Sequence, residues 1–93
     1  MIFSHKNLIN LPVETKSGHK LGRICDYEIE IDTQKIMRYH VKSDRLISHL
    51  LAKELIVHSE QVINITPEKM IVEDNAGKVK DIVHDTVAPP VSM

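Results

Sequence analysis

The segment PVETKSGHKLGRICDYEIEIDTQKIMRYHVK, residues 12–42, sets the fold of this 93-residue chain. It divides into three short strands separated by two tight turns. In the middle strand, apolar side chains occupy odd positions and acidic side chains occupy even positions. A period of two is typical of a strand with one buried face. We therefore expect the odd positions to face the core: Cys25, Tyr27, Ile29 and Ile31.

The third strand continues this alternation with the opposite charge. Met37, Tyr39 and Val41 are apolar, and basic or titratable residues lie between and after them. A slip of one residue would turn every side chain to the wrong face, so the parity restricts the register. One register pairs Glu30 with Arg38, Glu28 with His40 and Asp26 with Lys42, and a shift of two residues also pairs acids with bases. Either register predicts outer-face ion pairs among Asp26, Glu28, Glu30, Arg38, His40 and Lys42.

Two glycines and a proline shape the start of this segment. Pro12 cannot donate a hydrogen bond to a central ladder and favours an edge strand. Gly18 supplies the positive φ angle that a tight hairpin turn requires. Gly22 lies inside a strand, where glycine often indicates a bulge or a close backbone approach.

The remaining chain contains further short strands between turn signals. We expect strands at 54–58, 62–65 and 69–73. Residues 43–53 allow either a helical turn or a loop, and residues 78–84 allow a strand, a helix or a loose segment. This spacing predicts an all-β fold of about six short strands in a closed barrel, with at most one or two helical turns.

The expected domain organisation is simple. Residues 1–10 form a lead-in, in which Leu8 and Ile9 suit a helical turn at one end of the barrel. Residues 11–84 form one domain, and residues 85–93 form a flexible tail.

Composition excludes several classes of function. The formal net charge of −1 argues against direct nucleic-acid binding, which needs a basic surface. A single cysteine, Cys25, permits no internal disulfide, and no apolar run reaches the ~20 residues of a membrane span. The first residues show no secretion signal. We therefore expect a cytoplasmic protein without a membrane segment.

No pattern points to catalysis, a cofactor or a metal. The six histidines lie far apart in the sequence and have no cysteine cluster beside them. Cys25 falls on the predicted core face, where a thiol is structural, because a reactive cysteine needs exposure and a lowered pKa. The glycines form neither a phosphate-binding loop nor a nucleophile elbow. We expect a protein that is not an enzyme and binds no cofactor.

Several of these motifs together resemble the PRC-barrel family. The resemblance rests on Leu11-Pro12-Val13, Gly18, Leu21-Gly22-Arg23-Ile24, Asp26, Ile29-Glu30-Ile31-Asp32 and the later segment Leu55–Ile65. It implies a β-barrel of about six strands without common catalytic residues. Similar domains occur in the photosynthetic reaction-centre H subunit and in a ribosome maturation factor, where the barrel contacts a ribosomal protein.

The resemblance and the absence of a catalytic pattern predict a non-catalytic interaction or adaptor module. Its candidate contact surface is an apolar group within residues 45–52: Leu46, Ile47, Leu50 and Leu51. Such a patch suits a protein partner or self-association into a homodimer. The alternative is an accessory factor in ribosome or RNA maturation that contacts a ribosomal protein or RNA.

Overall fold

The computed structural model describes residues 1–43 and 54–77 of the chain. The elements are α1 (His5–Leu8), β1 (Pro12–Thr15), β2 (Lys20–Glu30), β3 (Lys35–Lys42), β4 (Glu54–His58), a 3₁₀ turn (Ser59–Gln61), β5 (Val62–Ile65) and β6 (Met70–Val72). The prediction of an all-β fold with six short strands and one or two helical turns is confirmed. The expectations for residues 44–53, including the Leu46, Ile47, Leu50 and Leu51 surface, and for residues 78–93 lie outside the described residues.

The six strands form one sheet in the order β4-β3-β2-β1-β6-β5. Neighbouring strands are antiparallel except β1 and β6, which are parallel. Among the described residues, the sheet does not close into the continuous ladder that we expected, because no pairing joins β4 to β5. The sheet nevertheless curls, since Tyr39 of β3 and Ile65 of β5 line the same pocket. The architecture is therefore a barrel-like open sheet.

The inner face of this sheet carries an aliphatic core. Its fully buried side chains are Val13, Ile24, Val41, Val57, Met70 and Val72. The lead-in also contributes, because Leu8 of α1 and Leu11 are buried in the same cluster. Asn10, with φ of 72°, donates its N–H to the Ile24 carbonyl at 2.7 Å. This hydrogen bond fixes α1 against the start of the sheet.

A bulge on β2 changes which residues face the core. Ile24 pairs with Val41 and Asp26 pairs with His40, so Cys25 is an extra residue on β2. A bulge of this kind shifts the alternation by one position. Ile24 is consequently fully buried, and Cys25 is partly exposed rather than on the core face as predicted.

The predicted inward positions at the far end of β2 are also wrong. Ile29 is half exposed, and Ile31 is 76% exposed because it lies in the turn and not in the strand. Of the four predicted inward residues on β2, Tyr27 packs against the core.

A second bulge, on β3, has the same effect on Met37. Glu28 pairs with Arg38 and Ile29 pairs with Ile36, which leaves Met37 unpaired and 48% exposed. Ile36 packs against the core in its place. Tyr39 and Val41 point inward as predicted.

Two pairs of β2 and β3 follow the alternative register, the one shifted by two residues. Asp26 lies opposite His40, and Glu28 lies opposite Arg38. Lys42 lies opposite Arg23 rather than Asp26, and Glu30 lies opposite Lys35 rather than Arg38. The two bulges explain the difference, because each one adds a residue to one strand only.

Both glycines of the first hairpin have positive φ, 96° for Gly18 and 141° for Gly22. A Cβ atom at Gly22 would overlap the carbonyl oxygen of Lys42, whereas a Cβ at Gly18 would meet open space. Gly22 also lies beside the register shift between β1 and β2. The bulge and the close approach that its sequence position indicated are both present.

Candidate functional site

The structure places an apolar pocket at one end of the curled sheet. It has a volume of about 320 Å³ and lies between the lead-in, β3 and β5. Its lining residues are Met1, Phe3, Leu8, Ile36, Tyr39 and Ile65. We refer to these six residues as the apolar pocket.

The local folding of three segments builds this pocket. The backbone N–H of Ser4 donates to the side-chain oxygen of Asn7 at 2.8 Å, which holds the first turn of α1 and directs Phe3 and Leu8 toward the sheet. The bulge at Met37 turns Ile36 inward beside Tyr39. The lead-in thus covers part of the gap between the two ends of the open sheet.

The six side chains that line the pocket carry no formal charge. The hydroxyl of Tyr39 is the only hydrogen-bond donor among them. Burial raises the pKa of Tyr39 above its ordinary value of 10.0, so the phenol stays protonated at physiological pH. A pocket of this composition favours apolar groups of a bound molecule.

A second candidate, which we call the charged cluster, lies on the outer face of β2, β3 and β4. It consists of Cys25, Glu28, Arg38, His40 and Glu54. Arg38 Nε lies 3.2 Å from Glu28 Oε1. His40 Nε2 lies 2.6 Å from Glu28 Oε2, and His40 Nδ1 lies 3.3 Å from Glu54 Oε1. The Cys25 thiol donates to Glu54 Oε2 at 3.4 Å.

These contacts shift the pKa values of three groups in the cluster. The hydrogen bond from His40, assisted by Arg38, lowers the pKa of Glu28. Partial burial alone would lower the pKa of His40, but its bonds to Glu28 and Glu54 outweigh burial and raise it. Burial, followed by the bond to Glu54, raises the pKa of the Cys25 thiol. A thiol of raised pKa is a weak nucleophile at neutral pH.

The structure separates the six residues that the sequence grouped as an outer ion-paired face. Glu28, Arg38 and His40 are in contact, and Glu28 accepts from both basic partners. The Asp26 carboxylate instead accepts the N–H of Tyr27 at 2.8 Å, and Glu30 accepts the N–H of Asp32 at 3.2 Å. Lys42 lies opposite Glu54 of β4 in the backbone register.

Sequence reasoning missed two parts of these sites. It did not connect Glu54 with His40, although an antiparallel β3–β4 pair places position 54 diagonally across from position 40. It also predicted that Met37, and not Ile36, faces the core, because the position of a bulge cannot be read from the alternation of apolar and polar residues. One wall of the pocket is formed by the lead-in, and the helical turn predicted at Leu8 and Ile9 was the sequence feature that could have indicated it.

A further cavity, of about 310 Å³, is polar and lies along β1 and β2. Its lining combines charged residues with three uncharged ones: Glu14, Glu68, Lys20, Arg23 and Lys69, with Pro12, Val13 and Gly22. The Lys69 ammonium lies 3.5 Å from the Glu14 carboxylate, and the Arg23 guanidinium donates to the Asn10 carbonyl. The mixture of charges favours no single ligand class.

Two further observations concern the described part of the chain. Across residues 1–43 and 54–77, no group of three or more His, Cys, Asp or Glu side chains is placed to hold a metal ion. In the same ranges, no helix has the length and apolar character needed to cross a membrane.

The fold and the sequence agree on the family of this protein. The sequence matches the PRC-barrel domain family over residues 1–79, which is most of the chain. The protein therefore belongs to the PRC-barrel family, as the resemblance of its first hairpin implied. A search of curated proteins finds no match to the sequence.

Proposed function

We propose that this PRC-barrel protein is a non-catalytic, cytoplasmic interaction module that binds a protein partner through its apolar pocket. The observation that carries the proposal is the pocket itself, a concavity of about 320 Å³ lined by six large apolar or aromatic side chains. Removing apolar surface from water lowers the free energy, so a partner that covers this surface forms a more stable complex.

The surroundings of the pocket support a binding role. Met1, at the rim of the pocket, is 90% exposed, so the apolar surface of the pocket is accessible to a partner on this side. The partner that fits this surface carries one or two bulky apolar side chains and places no charge in the pocket, because a buried unpaired charge is costly.

The charged cluster is a poorer candidate for activity. Both ring nitrogens of His40 are occupied by carboxylates, and the Cys25 thiol is held by Glu54. None of the cluster residues lines either cavity described above. A general base must reach a substrate proton, and these groups reach one another instead.

Affinity capture with two neighbouring variants tests the proposal. Phe3→Ser removes a wall of the pocket, whereas Ile2→Ser alters an exposed residue outside the pocket. We expect the wild-type protein and Ile2→Ser to retain the same partner in quantitative mass spectrometry, and Phe3→Ser to lose most of it. Thermal unfolding of all three proteins shows whether each is folded.

Equal recovery of every partner with Phe3→Ser and Ile2→Ser would count against the pocket as the binding site. The identity of the captured protein defines the pathway. A ribosomal protein lost with Phe3→Ser would assign the module to ribosome maturation.

A further inference from the structure

The position of His40 between two carboxylates imposes a requirement on its protonation. Nε2 faces Glu28 Oε2 at 2.6 Å, and Nδ1 faces Glu54 Oε1 at 3.3 Å. A neutral imidazole has one N–H donor and one acceptor, so one nitrogen would face a carboxylate without a hydrogen. Only the doubly protonated ring can donate to both carboxylates.

The two carboxylates belong to different strands on either side of His40. Glu28 lies on β2 and Glu54 lies on β4, while His40 lies on β3 between them. Both contacts are diagonal, because the direct cross-strand neighbours of His40 are Asp26 and Ile56. One cation therefore bridges three adjacent strands, and 20% of its side chain is exposed.

We propose that Glu28, His40 and Glu54 form a proton-dependent lock in which the His40 imidazolium holds β4 to β3 and β2. The lock is a regulatory device of the fold and is independent of the apolar pocket. When His40 loses its proton, at most one of the two bonds persists, and β4 keeps its backbone ladder and its buried side chains, including Ile56 opposite His40.

The remaining charged and titratable groups around the lock modulate it from each strand. On β2 they are Cys25 and Asp26; on β3, Arg38 and Lys42; on β4, His58, which lies opposite Arg38. Arg38 shares the Glu28 carboxylate and weakens the negative field at His40, whereas Asp26 strengthens it. The Cys25 thiol occupies the second oxygen of Glu54 and so orients the first toward His40.

The pH dependence follows from the direction of two pKa shifts. The pKa of His40 is raised in the folded state, so the stabilisation is complete below the unfolded value of 6.5 and is lost as pH rises through the folded value. The pKa of Glu28 is lowered, so its stabilisation is present above the unfolded value of 4.5 and is lost as pH falls through the lower folded value. The lock therefore operates from mildly acidic to near-neutral pH and opens on the alkaline side.

Nuclear magnetic resonance of the histidine rings tests this proposal on the full chain. With uniform ¹⁵N labelling, we expect both nitrogens of His40 to carry hydrogen at pH 6 and its titration midpoint to lie above the ordinary value of 6.5. Glu28→Gln should lower the His40 midpoint more than Glu54→Gln, because the first contact is shorter. Glu60→Gln, an exposed change on the 3₁₀ turn, should leave it unchanged.

Amide hydrogen exchange adds a readout of the strand itself. After correction for intrinsic rates, we expect protection of the β3–β4 amides to fall about three- to tenfold between pH 6 and pH 8.5, while the β1–β2 amides keep theirs. In His40→Gln this step should vanish. A His40 midpoint at or below 6.5, or a step that persists in His40→Gln, would overturn the proposal.

Discussion

Strand β3 supplies residues to both the apolar pocket and the charged cluster, and the two regions differ in how their side chains are satisfied. Arg38 and His40 point outward, where Arg38 pairs with Glu28 and His40 contacts Glu54. Ile36 and Tyr39 point inward, where they line a concavity that remains open. The cluster therefore completes its own interactions, whereas the pocket has apolar surface left for another molecule. This contrast is why we assign partner binding to the pocket and a pH-dependent stabilisation of β4 to the cluster.

The largest expected effect lies on the inner side of β3. Tyr39 is 6% exposed and contributes both to the core and to the pocket wall. Tyr39→Ala should destabilise the protein by about 3–5 kcal/mol, because it removes a large buried ring and leaves a cavity. Urea unfolding measures the loss. A cost near that of an outer-face change would show that this side of β3 is not a packed wall.

A glycine pair tests the close approach of β2 to the end of β3, the strand that supplies both regions. Gly22→Ala should cost about 2–3 kcal/mol, because an alanine at φ of 141° is strained and its methyl group overlaps the Lys42 carbonyl. Gly18→Ala, with positive φ but open space around it, should cost only about 1 kcal/mol. Equal costs, measured by thermal unfolding, would mean that the Lys42 contact contributes nothing.

The charged cluster gives a smaller, pH-dependent effect. The wild-type protein should lose about 0.5–1.5 kcal/mol of stability relative to His40→Gln when the pH rises from 6 to 8.5, because His40 then loses the proton that the folded state stabilises. The magnitude is modest because Glu28 and Glu54 are about half exposed. Urea titrations of both proteins at each pH measure the difference, and parallel pH profiles would contradict it.

The smallest effect concerns the ion pair at the edge of the cluster. Arg38→Gln should change stability by less than about 0.5 kcal/mol, since the pair with Glu28 is solvent-exposed on both sides. Its effect should diminish further at high salt. A loss of stability above about 1 kcal/mol that salt does not reduce would contradict this expectation. It would show that Arg38 stabilises the fold by more than an exposed ion pair.

Much of this architecture could be predicted from the sequence. The alternation from residue 25 onward, the turn glycine at 18 and the regular spacing of later strands predict an all-β fold, because each reflects local backbone or burial preferences. The two bulges could not be predicted, since an extra residue reverses the alternation without changing composition. For that reason Ile24 and Ile36 were missed as inward residues, and Cys25 and Met37 were assigned inward wrongly. Ile31 was assigned inward wrongly because β2 ends at Glu30 and Ile31 lies in the following turn.

The sites depend on long-range pairing and were harder to predict. The charge pattern of β2 and β3 indicated acids beside bases, but it did not decide between the two registers, and the observed one makes Glu28 the shared partner of Arg38 and His40. The pocket joins residues from the lead-in, β3 and β5, which are distant in sequence. The predicted contact surface at Leu46, Ile47, Leu50 and Leu51 remains a prediction.

The most direct test of the contrast between the two regions follows both at once during binding. Isoleucine methyl groups and histidine rings are labelled in the full chain, and the partner recovered by affinity capture is added. We predict that the methyl resonances of Ile36 and Ile65 shift on binding while the ring resonances of His40 stay in place. Shifts at His40 with unchanged Ile36 and Ile65 methyl groups would contradict the assignment of partner binding to the apolar pocket.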